Sequence, residues 1–162
     1  MASRLRDRKL RLRAAKAADL DVLLALERAS FRTDHLSRRS FLRFVVSPRA
    51  ALIVCERDRR ILGYALVLFR SACPVARLYS IAVAPEAAGQ GIGTLLLAAA
   101  ESAARKCGCD RLRLEVHEHN AAALSRYRKS GYRQFGMHFD YYDDHGNALR
   151  FEKRLRSSST GP

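Results

Sequence analysis

Hydrophobic and polar residues alternate along several short stretches of the chain, which is the pattern of half-buried β-strands. The clearest case is residues 111–117, where Leu112, Leu114 and Val116 share one face of a predicted strand. The residues between them, with Glu115 at the centre, fall on the opposite face. Six further strands are predicted at residues 10–14, 51–56, 61–70, 78–83, 132–139 and 149–155.

Apolar residues recur every three or four positions in other parts of the sequence, which predicts amphipathic helices. These helices cover residues 19–30, 37–46, 94–107 and 121–130. Ser37 and Asn120 suit the N-cap positions of the second and fourth helix. Gly131 suits the left-handed position that follows the end of a helix.

The order of the predicted elements is β-α-α-β-β-β-α-β-α-β-β. Only the helix at residues 94–107 joins its two strands as a parallel β-α-β crossover, whereas the other strands can pair as antiparallel neighbours. We therefore expect an α+β fold in which a mixed, mainly antiparallel sheet is flanked by helices. Residues 1–156 are expected to form a single domain, followed by a disordered tail at residues 157–162.

The chain carries a strong positive charge. Lys and Arg number 30 against 16 Asp and Glu, which gives a net charge of +14 at pH 7. The basic residues are scattered along the sequence and do not form the aromatic-interleaved basic stripe of an RNA-binding sheet. Direct nucleic-acid binding is therefore not expected, although the charge leaves an acidic or ribosome-associated partner open.

The sequence predicts neither export nor a membrane span. The first residues are basic and lack an apolar core, and the longest apolar runs, at residues 61–69 and 95–100, are too short to cross a bilayer. The cysteines at positions 55, 73, 107 and 109 have neither metal-finger spacing nor a Cys-x-x-Cys pair. The expected setting is a reducing cytoplasm in which these residues are free thiols.

A glycine-rich turn lies between the strand at residues 78–83 and the helix that follows it. Gly89, Gly91 and Gly93 let the backbone approach an anion closely, and the helix that follows offers free N–H groups and the positive end of its dipole. A P-loop is excluded because Thr94 stands where that motif needs a lysine, and the dinucleotide fingerprint requires a different glycine spacing. A purely structural turn remains the alternative.

Two stretches of the sequence have spacings that are typical of one protein family. The first contains Ile81-Ala82-Val83, Pro85, Gly91 and Gly93, and the second contains Asn120, Ala123, Tyr127, Gly131 and Tyr132. They resemble motifs A and B of the GNAT superfamily of acetyl-CoA-dependent N-acetyltransferases. Residues 114–116 and 141–148 look most like the ribosomal-protein-alanine N-acetyltransferase group. Ala88 departs from the pattern, because the family usually has Gln or Arg there.

The resemblance implies a site for acetyl-CoA and two catalytic residues. Glu115 would be the general base, Tyr127 the general acid and Asn120 a contact to coenzyme A. The pantetheine arm and the pyrophosphate would be held by Ile81, Ala82, Val83, Gly89, Gln90, Gly91, Ile92, Gly93 and Thr94. Because Ala88 lacks a polar side chain, one contact to phosphate is expected to be missing, with a loss of cofactor affinity.

The acceptor implied by the resemblance is the N-terminal amine of a protein or peptide, with a ribosomal protein as one such partner. At pH 7, neutralising an α-amine of pKa about 7.7–8.0 costs about 1 kcal/mol, whereas a lysine near 10.4 costs about 4–5 kcal/mol. A single carboxylate, acting directly or through water, is thus a plausible base for direct attack in a ternary complex. The alternatives are acetylation of a small-molecule amine and a non-catalytic module that binds acetyl-CoA.

Each candidate residue also has a purely structural interpretation. Glu115 could pair with a neighbouring arginine, Tyr127 could be a core aromatic residue, and Asn120 could be only a helix cap. His117 and His119 flank Glu118, but no third ligand supports a metal site, and none is expected. Tyr141 and Tyr142 could pack the last hairpin or line the groove through which a peptide reaches the site.

Overall fold

The computed structural model describes residues 9–31 and 35–156, and the predicted tail at residues 157–162 lies outside them. The strands are β1 Arg11–Ala14, β2 Ala50–Arg57, β3 Arg60–Leu68, β4 Val75–Val83, β5 Arg111–His117, β6 Arg133–His138 and β7 Ala148–Arg154. The α-helices are α1 Leu20–Ser30, α2 Arg38–Val46, α3 Ile92–Lys106 and α4 Ala121–Lys129. Short 3-10 helices at Ala17–Asp19 and Pro85–Ala87 precede α1 and α3.

The strands form one seven-stranded sheet in the order β1-β2-β3-β4-β5-β7-β6. All neighbouring strands pair antiparallel except β4 and β5, which are parallel and are connected through α3. The predicted fold class, a mixed and mainly antiparallel sheet flanked by helices, is therefore confirmed.

Two elements begin more than one residue away from their predicted starts. β4 begins at Val75 instead of residue 78, because its first three residues pair with β5, and this long-range pairing is not visible in the local sequence pattern. α3 begins earlier than predicted, at Ile92. Its N-cap is Gly91, which has a left-handed φ of +78°, whereas Gly93 is already helical.

β4 and β5 separate after a short paired segment. Their register covers only Val75–Arg77 against Arg111–Arg113. Beyond it, β4 continues to Val83 beside β3 and β5 continues to His117 beside β7. The two parallel strands thus diverge, and a cleft opens in the middle of the sheet, with the turn into α3 at one end.

α3 covers one face of the sheet, and α1 and α2 cover the other. On the α3 face, Gly63 leaves room for Leu96 and Ile92 of the helix. On the opposite face, the Phe41 ring of α2 packs edge-on against Tyr64, with ring centroids 5.6 Å apart. Because consecutive residues of a strand point to opposite faces, β3 contributes to both halves of the core.

A buried carboxylate ties the first two helices to the sheet. Glu27 of α1 accepts hydrogen bonds from the Tyr64 hydroxyl and from the Leu36 N–H, the latter at 3.0 Å. Tyr64 also lies 2.9 Å from the Ser80 hydroxyl, and burial raises the pKa of Tyr64, so that it stays a donor. These bonds replace the water that the carboxylate loses on folding and hold the start of α2 against the sheet.

Within residues 9–31 and 35–156, no helix is both long enough and apolar enough to cross a membrane. The longest, α3, has 15 residues, whereas a bilayer needs about 20.

Replacing Gly63 by alanine is expected to lower the free energy of unfolding by about 1–3 kcal/mol. The added Cβ would lie 2.7 Å from the Ala82 carbonyl oxygen and 3.0 Å from Leu96 Cδ1, and the strand backbone cannot move away easily. Urea denaturation measures the effect. Gly136→Ala is the matched control, because its Cβ would meet Arg150 at 3.6 Å, an ordinary contact. Equal losses in the two variants would contradict this packing.

Candidate active site

The turn into α3 presents an open surface of backbone N–H groups. Gly89 and Gly91 have left-handed φ angles of +77° and +78°, and a Cβ added at either would meet no atom within 4 Å. No side chain caps α3 at Gly91. The N–H groups of its first residues, Ile92 to Thr94, therefore lack intrahelical partners and coincide with the positive end of the helix dipole, an arrangement that binds anions.

Two arginine side chains approach this turn. Arg57 donates a hydrogen bond to Gln90 Oε1 at 2.9 Å. Arg126 of α4 lies directly over Gly93, where its Cζ, Nε and Nη1 would be 2.6, 2.9 and 2.9 Å from a Cβ. Gly93 is therefore the residue that gives the Arg126 guanidinium its place at the start of α3.

The edge of β4 that faces the cleft carries the other predicted cofactor residues. Ile81, Ala82 and Val83 pair with β3 on one side, whereas the register with β5 has ended on the other. Backbone N–H and C=O groups that point away from β3 consequently face the cleft. Such groups suit the amides of an extended ligand that enters the sheet as an additional strand would.

Glu115 lies on β5 at the cleft, between two arginines. Its Oε2 is 3.1 Å from Arg77 Nη2, and its Oε1 is 3.9 Å from Nε of Arg150, its direct partner on β7. Only 14% of the Glu115 side chain is exposed. The arginine pairing proposed as the structural alternative is thus present, and both arginines attract the carboxylate beside the cleft.

The two arginines keep further donor capacity. Arg77 donates weakly to the Tyr141 hydroxyl, at 3.4 Å, and its guanidinium lies 5.4 Å from the Tyr79 ring centroid. Arg150 lies over the Phe135 ring. The Nε atoms of Arg77 and Arg150 are buried and have no hydrogen-bond partner among the described residues. Buried donors of this kind are usually satisfied by water or by a ligand.

Tyr127 is a buried aromatic residue of α4 with an available hydroxyl. Its ring packs against Tyr132, with centroids 5.8 Å apart, so the predicted core role is also present. Burial raises the pKa of Tyr127 to about 12, although Arg126 lowers it. Within the described part of the chain, its hydroxyl has no hydrogen-bond partner. The phenol is therefore a protonated donor that has no acceptor among residues 9–31 and 35–156.

Tyr142 joins the β6–β7 loop to the site. Burial is the main reason that the pKa of Tyr142 is raised to about 12, and the charges of Tyr141, Glu115 and Tyr127 also contribute. Tyr142 therefore lies within electrostatic range of both predicted catalytic residues. Tyr141 is 45% exposed at the mouth of the cleft.

His117 orients this loop. Its Nδ1 accepts a hydrogen bond from the His119 N–H at 3.1 Å, so Nε2 carries the proton and donates to Asp144 at 2.9 Å. Hydrogen bonds from the Gly146 N–H and from His117 hold the pKa of Asp144 below its ordinary value. The His117 ring stacks on Tyr142, with centroids 5.0 Å apart. Both ring nitrogens are thus engaged in positioning the loop.

The remaining predicted residues have simple placements. The Asn120 side chain caps α4 by accepting the Ala123 N–H at 3.2 Å, which leaves its amide NH₂ group for another partner. Ala88 ends the 3-10 helix before the glycine turn. Among the described residues, no group of three or more His, Cys, Asp or Glu side chains is arranged to hold a metal ion.

The fold brings three arginines to these residues that the sequence did not indicate as site residues, Arg77, Arg126 and Arg150. Side chains alternate between the two faces of β4. Once the β4–β5 register is known, this alternation places Arg77 on the same face of the sheet as Glu115. For Arg126, the only local signal is the adjacent Tyr127, because its contact with Gly93 joins two separate helices.

The chain is similar to known acetyltransferases in sequence and in fold. Residues 20–132 match the model of the family described as Acetyltransferase (GNAT) family. A Bacillus subtilis (strain 168) protein, named as a candidate ribosomal protein bS18-alanine N-acetyltransferase, is 28% identical over 138 residues, which cover 85% of this chain and 90% of that protein. A streptothricin acetyltransferase from Streptomyces lavendulae is 33% identical over 105 residues, 65% of this chain and 54% of that protein.

A solved structure shares the whole fold. The ribosomal-protein-S18-alanine N-acetyltransferase from Escherichia coli superposes with a TM-score of 0.81 at 22% identity. The match covers 95% of this chain and 99% of that one.

Proposed function

The chain belongs to the GNAT acetyltransferase family, as its two motifs predicted, and we propose that it transfers the acetyl group of acetyl-CoA to the N-terminal amine of a protein or peptide. The observation that carries this proposal is the position of Glu115. A carboxylate that forms ion pairs with two arginines lies in a cleft that also contains the free edge of β4 and leads to the uncapped start of α3. A proton acceptor and an anion site are thus combined in one cleft.

The residues of the cleft fit acetyl-CoA. The space beside Gly89 and Gly91 is open, and the N–H groups of residues 92–94 would bind the pyrophosphate. Residues 81–83 would bind the amides of the pantetheine arm, and the free amide group of Asn120 would add a contact. When bound, acetyl-CoA supplies a thioester whose carbonyl carbon is open to attack by an amine.

Two residues would move or hold protons in this reaction. Glu115 accepts the proton of the acceptor amine, directly or through water, as the amine nitrogen bonds to the acetyl carbon and the C–S bond breaks. Tyr127 donates a hydrogen bond to the departing sulfur, because its free hydroxyl stays protonated throughout the physiological pH range.

Direct attack, without an acetylated cysteine, is the proposed route, and the positions of the cysteines support it. Cys55 and Cys109 are buried, Cys73 is half-buried and Cys107 is exposed, and all four are free. None lies on β5 or α4, the elements that carry Glu115 and Tyr127. Direct attack therefore requires both substrates in the cleft at once.

Three features support an N-terminal amine as the acceptor. At pH 7, the free-energy cost of neutralising an α-amine is about 1 kcal/mol, which is small enough for a single carboxylate to act as the base. Tyr141, Tyr142 and Tyr79 flank the mouth of the cleft near Glu115, where a peptide chain could lie. The Bacillus subtilis relative, similar over 90% of its length, is named for acetylation of an alanine of a ribosomal protein.

A matched pair of peptides tests the proposal. One has a free N-terminal alanine and no lysine, and the other has a blocked N-terminus and one lysine. After incubation with acetyl-CoA, mass spectrometry is expected to find acetylation of the first peptide alone. Acetylation of the lysine peptide alone, or of neither, would contradict the proposal.

Acetylation of a small amine is the second candidate, since the similarity to the streptothricin acetyltransferase covers 65% of this chain. Thiol release on addition of a mixture of small amines, with both peptides unmodified, would favour it. Absence of turnover with every amine would favour a non-catalytic module that binds acetyl-CoA.

A further inference from the structure

We propose that Arg126 is the side chain that binds the pyrophosphate of coenzyme A, in place of the side chain that Ala88 lacks. This inference rests on the proposed function and concerns its cofactor site. Its basis is the guanidinium of Arg126, which lies over Gly93 in the first turn of α3, with Cζ only 2.6 Å from the position of a Cβ.

The positive charges at this position favour the binding of an anion. The N-terminal end of a helix carries a partial positive charge, so a guanidinium placed against it is repelled. The first turns of α3 and α4 contain no acidic residue. In residues 9–31 and 35–156, Arg126 forms no ion pair and no side-chain hydrogen bond. The fold therefore places a half-buried cation without a protein partner where a bound anion would be stabilised.

The neighbouring arginines differ from Arg126 in this respect. Arg57 is bound to Gln90, and Arg60 pairs with Glu86 at 2.6 Å. Both basic side chains beside the turn thus have protein partners. Arg126 has no such partner among the described residues, so its guanidinium over Gly93 is available to a ligand.

A pyrophosphate matches this arrangement chemically. Its phosphate oxygens can accept hydrogen bonds from the N–H groups of the α3 turn and from the planar fork of a guanidinium, which binds such oxygens in pairs. Gly93 is required because any side chain there would displace the guanidinium. The inference thus assigns Gly93 a packing role towards Arg126 in addition to a backbone role.

The test is the binding of coenzyme A, measured by isothermal titration calorimetry without any acceptor. Arg126→Ala is expected to raise the Kd for coenzyme A about 10- to 100-fold, the range for hydrogen bonds to charged groups. Lys129→Ala removes an exposed charge from the last turn of the same helix and is the matched control, with an expected change of less than about twofold. Circular dichroism verifies that both variants are folded.

A second ligand identifies which phosphate is bound. 3′-Dephospho-coenzyme A retains the pyrophosphate and lacks the 3′-phosphate, so Arg126→Ala should weaken both ligands by the same factor. An unchanged Kd in Arg126→Ala, or a loss that disappears with the dephosphorylated ligand, would overturn the inference. Failure of the wild-type protein to bind coenzyme A would instead contradict the proposed function. Binding without acetylation of the peptides would leave the Arg126 result valid.

Discussion

Glu115→Gln lowers kcat/KM for peptide acetylation by about 10²- to 10⁴-fold in this account, the range for loss of a general base. The substitution keeps the shape of the side chain and one oxygen that can accept from Arg77, 3.1 Å from the carboxylate. It removes the negative charge and the ability to take a proton. The Kd for acetyl-CoA is expected to stay unchanged, because Glu115 is on the acceptor side of the cleft.

Glu152→Gln is the matched control for this experiment. Glu152 lies on the neighbouring strand β7 and pairs with Arg113 at 2.9 Å, so the variant loses a similar ion pair. Its activity should remain within about threefold of the wild type, because it removes only a partly exposed ion pair. Near-normal turnover in Glu115→Gln, or equal losses in both variants, would make Glu115 a structural residue.

The loss of activity in Glu115→Gln should depend on pH, because the protonation of the acceptor amine does. Without a base, attack requires an amine that is already neutral, and that fraction rises with pH up to the α-amine pKa of about 7.7–8.0. The defect relative to the wild type should therefore be largest near pH 6 and smaller at pH 9. Initial rates at saturating acetyl-CoA across this range measure the trend.

Tyr127→Phe is expected to lower kcat by about 10²- to 10³-fold, as does the loss of one donor to developing charge. The hydroxyl of Tyr127 has no partner in the described part of the fold, so its removal breaks no internal hydrogen bond. The aromatic packing on Tyr132 is kept. The free energy of unfolding should therefore change little. A fall in kcat can then be attributed to the chemical step and not to loss of folded protein.

Tyr132→Phe is the control for Tyr127→Phe, because it removes a neighbouring phenol that donates to Glu101 at 3.4 Å, away from the predicted chemistry. It should retain kcat within about threefold, because the buried hydrogen bond that is lost lies outside the cleft and Glu101 keeps Lys153 as a partner. A normal kcat in Tyr127→Phe would assign Tyr127 to the core alone.

The raised pKa of Tyr127 also sets the highest pH at which its phenol can act as a hydrogen-bond donor. Because the pKa is raised to about 12, the phenol stays protonated, and able to donate, beyond the ordinary limit near 10. The rate should therefore show no decline between pH 9 and 10 that depends on Tyr127. A decline with a midpoint near 10 that is absent from Tyr127→Phe would contradict the buried environment.

Much of the site could be predicted because its signals are local. The strict alternation of residues 111–117 places Glu115 on the polar face of a strand, and β5 has these bounds in the structure. The helix caps are equally local, since Asn120 and Gly131 act through their own backbone neighbours. Strand, turn and helix around Gly91 follow from the same short-range rules.

The electrostatic surroundings of the site depend on register and could not be predicted in this way. Arg77 meets Glu115 only because β4 and β5 pair in parallel and then diverge. Arg150 reaches it through the β5–β7 register. The contact between Arg126 and Gly93 depends on how α4 packs near α3. Each of these contacts joins residues that are distant in sequence, and no local pattern encodes them.

One peptide with two amines, a free N-terminal alanine and an internal lysine, tests the acceptor and the role of Glu115 together. It is incubated with acetyl-CoA and either the wild-type protein or Glu115→Gln, and tandem mass spectrometry locates the acetyl group. We expect acetylation of the N-terminus alone by the wild type, with at least about a 10²-fold slower reaction in the variant. Acetylation of the lysine by the wild type, or an equal rate at the N-terminus in both proteins, would contradict it.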